Sequence, residues 1–378
     1  MSNLKYLQVR DALIEQFRHA QYIPGQKLPT EYQLTTSLNV SRTTIRQALE
    51  MLEQDGIIEK KRGSGTFYVG HTQLNPRRDA TTGLIGIMNF FFMDYIYPEI
   101  IRGIEDTTAA RGYSLVLANG KLSREREVDS VYRLLDQGIK GLILEPSRNF
   151  QLDPEHPIYK LIQSLTIPVV TTHWGVSNVS FSSVSLDDIR AGYDATKYLL
   201  DHGHTKIAIV YKRDVQAGCD RFEGYKQALF EAGIEIIPWW IQTFDTNDEL
   251  TDIRQGYLTT QRVIHASQEQ TEHQPTAIFY FNDHTAQQGY MAFQEANWNV
   301  PRDISVIGFD NYHASRVMYP PLTTFDHPKY QLGKWAANIL LEKIEEQEES
   351  LPIKMLFEPK IVERESVRTL SVSQNLLR

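Results

Sequence analysis

Ser41-Arg42-Thr43-Thr44-Ile45-Arg46-Gln47-Ala48-Leu49, followed after a short interval by Lys60-Lys61-Arg62-Gly63-Ser64-Gly65-Thr66-Phe67, decides how the amino-terminal part of this chain folds. In the first run Ile45, Ala48 and Leu49, with Leu52 beyond, keep the i, i+3, i+4, i+7 spacing of one apolar helical face. Thr43, Arg46, Gln47 and Glu50 project from the other side, and Arg42 flanks them in the first turn. Ser41 is a natural N-cap, and Asp55-Gly56 ends the helix. In the second region, Ile57-Ile58-Glu59 and Thr66-Phe67-Tyr68-Val69 are β-prone runs around a tip containing Gly63 and Gly65, which reads as a hairpin.

Working outward, Tyr6, Val9, Leu13, Ile14 and Phe17 predict a helix over 3–19. Pro24-Gly25 breaks the chain, and Leu28-Pro29 holds Leu28 extended. Thr30 caps a helix running to about Leu38, with Glu31 in its first turn, where the helix dipole favours an acid. Asn39-Val40 then makes a short turn into the Ser41 helix. Three helices and a hairpin in this order predict a winged helix-turn-helix. In such a unit the third helix offers side chains to the major groove of duplex DNA. An arginine there can donate two hydrogen bonds to guanine, and a threonine methyl can pack on thymine, which points to Arg42, Thr43 and Arg46. Thr44 suits backbone or phosphate as well as a base. Lys61 and Arg62, with Lys60, supply cations beside a glycine tip able to approach a sugar–phosphate chain closely.

Charge is split along the chain. The net charge of −8 argues against DNA binding only until residues 1–79 are counted alone, with 11 Lys and Arg against 8 Asp and Glu. That head is +3, so the remaining residues carry −11. A mildly basic head on an acidic body suits a protein whose head alone meets phosphate. The 41% hydrophobic content is that of a soluble globular protein. No apolar leader and no membrane-length apolar run is read, so the expected compartment is the cytoplasm, with no membrane partner. The single cysteine, Cys219, excludes an internal disulfide and a cysteine zinc cluster. No metal site is expected: Asp245-Thr246-Asn247-Asp248 starts like a calcium loop, but Leu250 occupies the glycine position.

Residues 71–83 are polar and without periodicity, and read as a linker. The expected domains are therefore 1–70, the DNA-binding head, and 84–378, a sensor and dimerisation body. From Gly83 onward, buried-type strands alternate with helical patterns. The strands read at Leu84–Phe90, Tyr113–Asn119, Gly141–Glu145, Pro168–Thr172, Ser183–Asp187, Lys206–Lys212, Thr276–Asn282 and Ile304–Asp310. The helices read over 97–111, 123–137, 188–202, 218–232, 250–266, 283–296 and 329–346. Alternation of this kind predicts an α/β body with parallel sheets.

Ligands of such folds sit at the carboxyl ends of the strands. Those ends carry Asp94, Tyr95, Glu145, His173, Trp174, Asp187, Asn282, Asp283 and Asp310, joined by Arg221 at a helix start and His327 after Thr323-Thr324-Phe325-Asp326. Carboxylates, an arginine, an amide and aromatics suit a neutral sugar, since polar groups bond ring hydroxyls while a ring packs on the apolar face. Taken singly, Asp187 or Asp283 is as well explained as a helix cap. No hydrolase elbow, zinc site, Walker loop or dinucleotide fingerprint is present, so a non-enzyme is expected. A sugar-modifying enzyme using an acid pair such as Asp187-Asp188, and an effector-dependent activator, are the alternatives.

Pro29-Thr30-Glu31, Val40 to Arg46, Ala48-Leu49, Leu52, Asp55-Gly56 and Gly63 to Phe67 resemble the winged-helix domain of the GntR family of bacterial regulators. The resemblance implies DNA contacts from Arg42, Thr43 and Arg46, with Thr30, Glu31, Arg62 and Gly65 near the backbone. Over about 83–367, Gly138 to Ile143, His202-Gly203-His204, Arg221 to Tyr225, Asn282-Asp283 and Ile304 to Asp310 resemble the LacI/GalR-type sensor. This implies a two-lobed, periplasmic-binding-protein-like (type I) fold and a homodimer. The hinge helix of LacI proper has no counterpart between Gly70 and Gly83. The pairing of this head and body, with Asp94 to Pro98, Glu145-Pro146-Ser147 and His327-Pro328-Lys329, is similar to the arabinose-responsive repressors of Gram-positive bacteria. That implies no cofactor, L-arabinose as effector, and double-stranded operator DNA as partner.

Overall fold

The computed structural model describes residues 5–19, 22–23, 25–54, 56–61, 64–69, 83–89, 94–121, 123–147, 155–173, 181–345 and 351–370. Arg62, Gly63, Trp174 and all of the expected linker except Gly83 lie outside them. The chain divides into two compact units, Met1–Thr81 and Thr82–Arg378.

The first unit contains α1 (Lys5–His19), α2 (Glu31–Leu38), α3 (Arg42–Gln54), β1 (Ile58–Lys61) and β2 (Gly65–Tyr68). Val9, Leu13 and Phe17 of α1 close on Leu34 of α2, on Ile45, Ala48, Leu49 and Leu52 of α3, and on Ile58 and Tyr68 of the hairpin. The predicted apolar stripe of α3 is thus buried. Truncating one of these leucines to alanine would cost about 2–5 kcal/mol. Thr30 accepts from the Gln33 backbone N–H while the Gln33 side chain accepts from the Thr30 N–H, and Asn39 ends α2 in the left-handed conformation. Ser41 accepts from the Thr44 N–H at 3.2 Å. β1 and β2 pair antiparallel with Lys61 opposite Gly65. An isolated antiparallel bridge, missed in the sequence, lies beside them: Lys27 bridges to Phe67, and Leu28 N–H donates to Thr66 O at 2.8 Å.

The second unit is two α/β lobes. In chain order its elements are β3 (Leu84–Asn89), α4 (Tyr97–Ala110), β4 (Ser114–Asn119), α5 (Arg124–Asp136), β5 (Ile139–Glu145), α6 (Pro157–Gln163), β6 (Val169–Thr172) and β7 (Ser182–Leu186). Then follow α7 (Asp188–Asp201), β8 (Ile207–Lys212), α8 (Gln216–Glu231), β9 (Ile241–Phe244), α9 (Thr246–Thr251), α10 (Gln255–Glu269), β10 (Ala277–Tyr280), α11 (Asp283–Glu295) and β11 (Ser305–Ile307). The unit ends with β12 (Thr324–Asp326), α12 (Lys329–Glu345), β13 (Lys354–Phe357) and β14 (Lys360–Val362).

One lobe is built on a six-stranded sheet ordered β13-β7-β6-β5-β3-β4, the other on a four-stranded sheet ordered β11-β10-β8-β9. Every pairing in both is parallel. β12 and β14 form a small antiparallel ribbon where the chain passes between lobes. The helix expected over 250–266 is two helices, because Asp252 accepts from the Arg254 backbone and side chain and so turns the chain between α9 and α10. The strands β9, β12, β13 and β14 and the helix α6 were not read in the sequence.

Candidate functional site

In the first unit Arg42, Thr43, Arg46 and Gln47 are exposed along one side of α3. Arg46 Nη2 donates to Glu31 Oε2 at 3.2 Å, so α2 steadies a side chain of α3. Thr44 is half-buried, and its hydroxyl lies 2.7 Å from that of Ser41, so it serves the helix start. Thr30, Lys61 and Gly65 are exposed. Lys61 lies 3.4 Å from Glu59, and Lys60, 2.8 Å from Glu53.

In the second unit a cavity of about 550 Å³ is formed by the carboxyl ends of both sheets. Asp94 and Tyr95 reach it from beyond β3, Glu145 from the end of β5 and His173 from beyond β6. The other lobe contributes Lys212 at the end of β8, Arg221 from α8, Asn282 after β10 and Asp310 after β11, while His327 enters beside β12. Of the expected site residues described by the structure, Asp94, Tyr95, Glu145, His173, Arg221, Asn282, Asp310 and His327 come together there.

Two do not. Asp187 caps α7 by accepting from the Arg190 N–H at 2.9 Å and does not line the cavity. Asp283 is buried behind the wall, accepting from Tyr312 N–H at 2.7 Å and from the Thr324 hydroxyl at 2.6 Å. Both are bound up in holding the backbone, as a residue at a helix start commonly is. Trp174 lies outside the described residues. The sequence reading missed Lys212, Glu249, Tyr97 and Tyr312, all of which line the cavity. A lysine closing an apolar strand was the available signal for Lys212. Glu249 carried none, because it belongs to a short helix off the strand ends.

Four side chains form a continuous row. Glu145 Oε2 lies 3.0 Å from His173 Nδ1, His173 Nε2 lies 3.0 Å from His327 Nε2, and His327 Nδ1 lies 3.2 Å from Asp310 Oδ1. Glu145 also accepts from Tyr97, Thr172 and Asn89. Tyr95 donates its hydroxyl to Asp310 from the opposite lobe, and its ring lies 4.3 Å from that of Tyr312. His173 and Asp310 have φ of 51° and 96°, left-handed backbone costing about 1–3 kcal/mol per residue, which such sites retain where function needs the placement.

The electrostatics follow from burial and pairing. Burial opposes charge on His173, but Glu145 beside it outweighs this and its pKa is raised. His327 is lowered to about 4 by burial and by its histidine neighbour. Burial works against charge on Asp310 too, yet the His327 hydrogen bond and the Arg221 and Lys329 charges hold it well below the carboxylate range. Asp94 is pushed up to about 7 by burial and by the Asp310 charge.

The arginine and the lysine of the wall are already held. Arg221 donates through Nε to Asp188 Oδ1 at 2.8 Å and through Nη1 to Phe281 O at 2.6 Å, with its guanidinium 3.5 Å from the centre of the Phe309 ring. Lys212 Nζ donates to Glu249 Oε2 at 2.5 Å.

The family model "Bacterial regulatory proteins, gntR family" matches residues 5–67, and that of the "Periplasmic binding protein-like domain" matches residues 196–367. The arabinose metabolism transcriptional repressor of Geobacillus stearothermophilus is 30% identical over 97% of this chain and 98% of its own length. The chain belongs to this family of bacterial transcriptional repressors. A PurR transcriptional repressor of Vibrio atlanticus is 34% identical over 77% of the regulator and 83% of its own length. A LacI family regulator of Enterococcus faecium, solved with bound ribose, is 25% identical, with a TM-score of 0.62 over 76% of this chain and all of that one. The regulator thus joins a DNA-binding gntR-type head to a LacI-like sensor body. Among the described residues no helix is long and apolar enough to cross a membrane, and no cluster of His, Cys, Asp and Glu is placed to hold a metal.

Proposed function

We propose that this repressor holds operator DNA as a homodimer and lets go when a neutral monosaccharide, L-arabinose, enters the cavity of its body. The observation that carries the reading is the pairing of Arg221 with Asp188 and of Lys212 with Glu249, which leaves a wall of hydrogen-bonding groups whose cations are already balanced. Such a wall suits a polyhydroxylated neutral ligand, and the volume falls within the roughly 300–1,000 Å³ of small-molecule pockets. Favouring L-arabinose in particular is the end-to-end similarity to the arabinose repressor, where the PurR similarity stops short of the whole chain.

In this reading residues 1–70 form the head and 84–378 the body, joined by a linker over 71–83. Arg42, Thr43 and Arg46 read bases, while Thr30, Glu31, Thr44, Lys61, Arg62 and Gly65 stand near the backbone. Asp94, Tyr95, Glu145, His173, Trp174, Arg221, Asn282, Asp310 and His327 face the sugar. The protein acts on chromosomal DNA and so works in the cytoplasm. To swing operator occupancy from 99:1 to 1:99, the sugar must favour the released arrangement by about 5.5 kcal/mol.

Titration calorimetry of the full chain with L-arabinose, D-ribose and D-xylose tests the ligand, and a gel-shift titration with and without the sugar tests the switch. Failure of every sugar to bind, or equal operator affinity with and without saturating L-arabinose, would overturn the reading.

A further inference from the structure

Lys27 sits in the connection between the first two helices, and no sequence motif marks it. The structure makes it part of the wing. Lys27 bridges antiparallel to Phe67, Tyr68 N–H donates to Gln26 O at 2.8 Å, and Leu28 N–H donates to Thr66 O at 2.8 Å, which fastens residues 26–28 along β2. Its side chain then runs across Gly65. A Cβ added at Gly65 would stand 2.6 Å from Lys27 Cε and 3.3 Å from its Nζ. The space left by the missing side chain is therefore taken by the stem of the lysine, which brings the ammonium to the start of β2 beside the turn of the wing. Gly65 also has a φ of 115°, a left-handed conformation that calls for glycine there whatever the lysine does.

Three other cations of the head, all on or near the recognition surface, are engaged. Lys60 is 2.8 Å from Glu53, Lys61 is 3.4 Å from Glu59, and Arg46 is 3.2 Å from Glu31. Lys27 is exposed, and no carboxylate of the described residues lies within 4.0 Å of it. This matters for phosphate. A lysine with a carboxylate a few ångströms away presents a nearly neutral pair to an approaching polyanion, even where the pair itself is weak. A lone ammonium presents a full charge and releases a condensed counterion when it docks.

We propose that Lys27 is a phosphate-contacting residue of the wing, aimed past Gly65 at the DNA backbone. The proposal rests on the reading of the head as a DNA-binding unit. It assigns to Lys27 the larger share of the electrostatic work first expected of Lys60 and Lys61. The contact is to the backbone, so it strengthens binding to any sequence equally and leaves base preference to α3.

The test uses the full-length protein and a mixed-sequence DNA duplex, with affinity followed by fluorescence anisotropy over a range of salt concentrations. Lys27→Gln is expected to reduce the slope of log affinity against log salt by about 0.9, the amount for one lost phosphate contact. Lys27→Arg is expected to keep the wild-type slope, and Lys60→Gln to change it much less than Lys27→Gln does. An unchanged slope in Lys27→Gln, an equal fall in Lys27→Arg, or an equal fall in Lys60→Gln would each overturn the proposal. Absence of any salt-dependent binding by the wild-type protein would instead remove the DNA-binding reading itself.

Discussion

His173 and His327 meet ring to ring, Nε2 to Nε2 at 3.0 Å, with an interplanar angle of 88°. A contact of that length holds a single hydrogen, so one ring donates and the other accepts. Each outer Nδ1 faces a carboxylate and is satisfied only by donating to it. The row Glu145–His173–His327–Asp310 is therefore complete with three ring protons, one imidazolium and one neutral imidazole. Those roles agree with a raised pKa at His173 and a lowered one at His327.

The pH consequence has opposite signs for the two rings. His173 is raised in the folded state, so its contribution to stability is complete below the ordinary value of 6.5 and is lost as pH climbs through its folded pKa. His327 is lowered to about 4, so its contribution is present above 6.5 and is lost as pH falls toward 4. The groups facing these rings are Glu145, Asp188 and Asp310 around His173, and Asp310 and Lys329 around His327. Imidazole NMR titration should find one ring titrating above pH 6.5 and one neutral until near pH 4. The excess in melting temperature of wild type over His173→Gln should shrink as pH rises above 6.5. Two rings titrating together near 6.5 would show the row does not share its protons this way.

Arg221 and Asp283 should separate when mutated, although the sequence gives both the same standing. Arg221 lines the cavity, so Arg221→Lys, which keeps the charge but loses the fork on Asp188 and the stacking on Phe309, should weaken sugar binding and leave operator binding intact. The harsher Arg221→Ala leaves Asp188 buried without its cation and should cost about 3–5 kcal/mol of folding stability. Asp283 ties Tyr312 N–H to the Thr324 hydroxyl behind the wall. Asp283→Ala should therefore lower stability by about 1–3 kcal/mol for the donors it abandons, with sugar affinity little changed in the folded fraction. Calorimetry and urea unfolding on the same samples decide between the two effects.

What the sequence made legible follows from how local each signal is. The apolar stripe Ile45, Ala48, Leu49 and Leu52, the caps at Thr30 and Ser41, and the parallel strands are set by residues near one another in the chain, and each stands where its pattern placed it. The strands β13 and β14 are short and carry little alternation, so only their partners β7 and β12 define them. Strand ends located only part of the cavity wall. They could not tell a wall residue from a strut such as Asp283 or a cap such as Asp187, because that distinction depends on which way a side chain turns. The His173–His327 contact joins residues 154 positions apart and is invisible to any local pattern.

Arg46 and Glu31 offer a test of the head. Both lie on its exposed side, with the carboxylate 3.2 Å from the guanidinium, so the pair itself should add less than about 1 kcal/mol to folding. Arg46→Ala should nevertheless cost roughly 1–3 kcal/mol in operator affinity and relax base preference at the position it reads. A gel-shift titration with unchanged affinity would remove Arg46 from the readers. Glu31→Ala should fall between wild type and Arg46→Ala in base preference, since the arginine is kept but loses the carboxylate that positions it.

Glu249 should act as a filter against anions. Lys212 is nearly buried, and its ammonium is held 2.5 Å from the Glu249 carboxylate at the cavity wall. A phosphorylated sugar would have to approach that carboxylate and compete for the lysine, and like charges brought together in a partly desolvated site repel strongly. Wild type should therefore prefer L-arabinose to its 5-phosphate. Glu249→Gln keeps an acceptor for Lys212 while removing the negative charge, so the preference should narrow, chiefly through tighter binding of the phosphate ester. Calorimetry with both ligands on both proteins measures the change. An unaltered ratio would mean that Glu249 only supports Lys212 and takes no part in excluding charge.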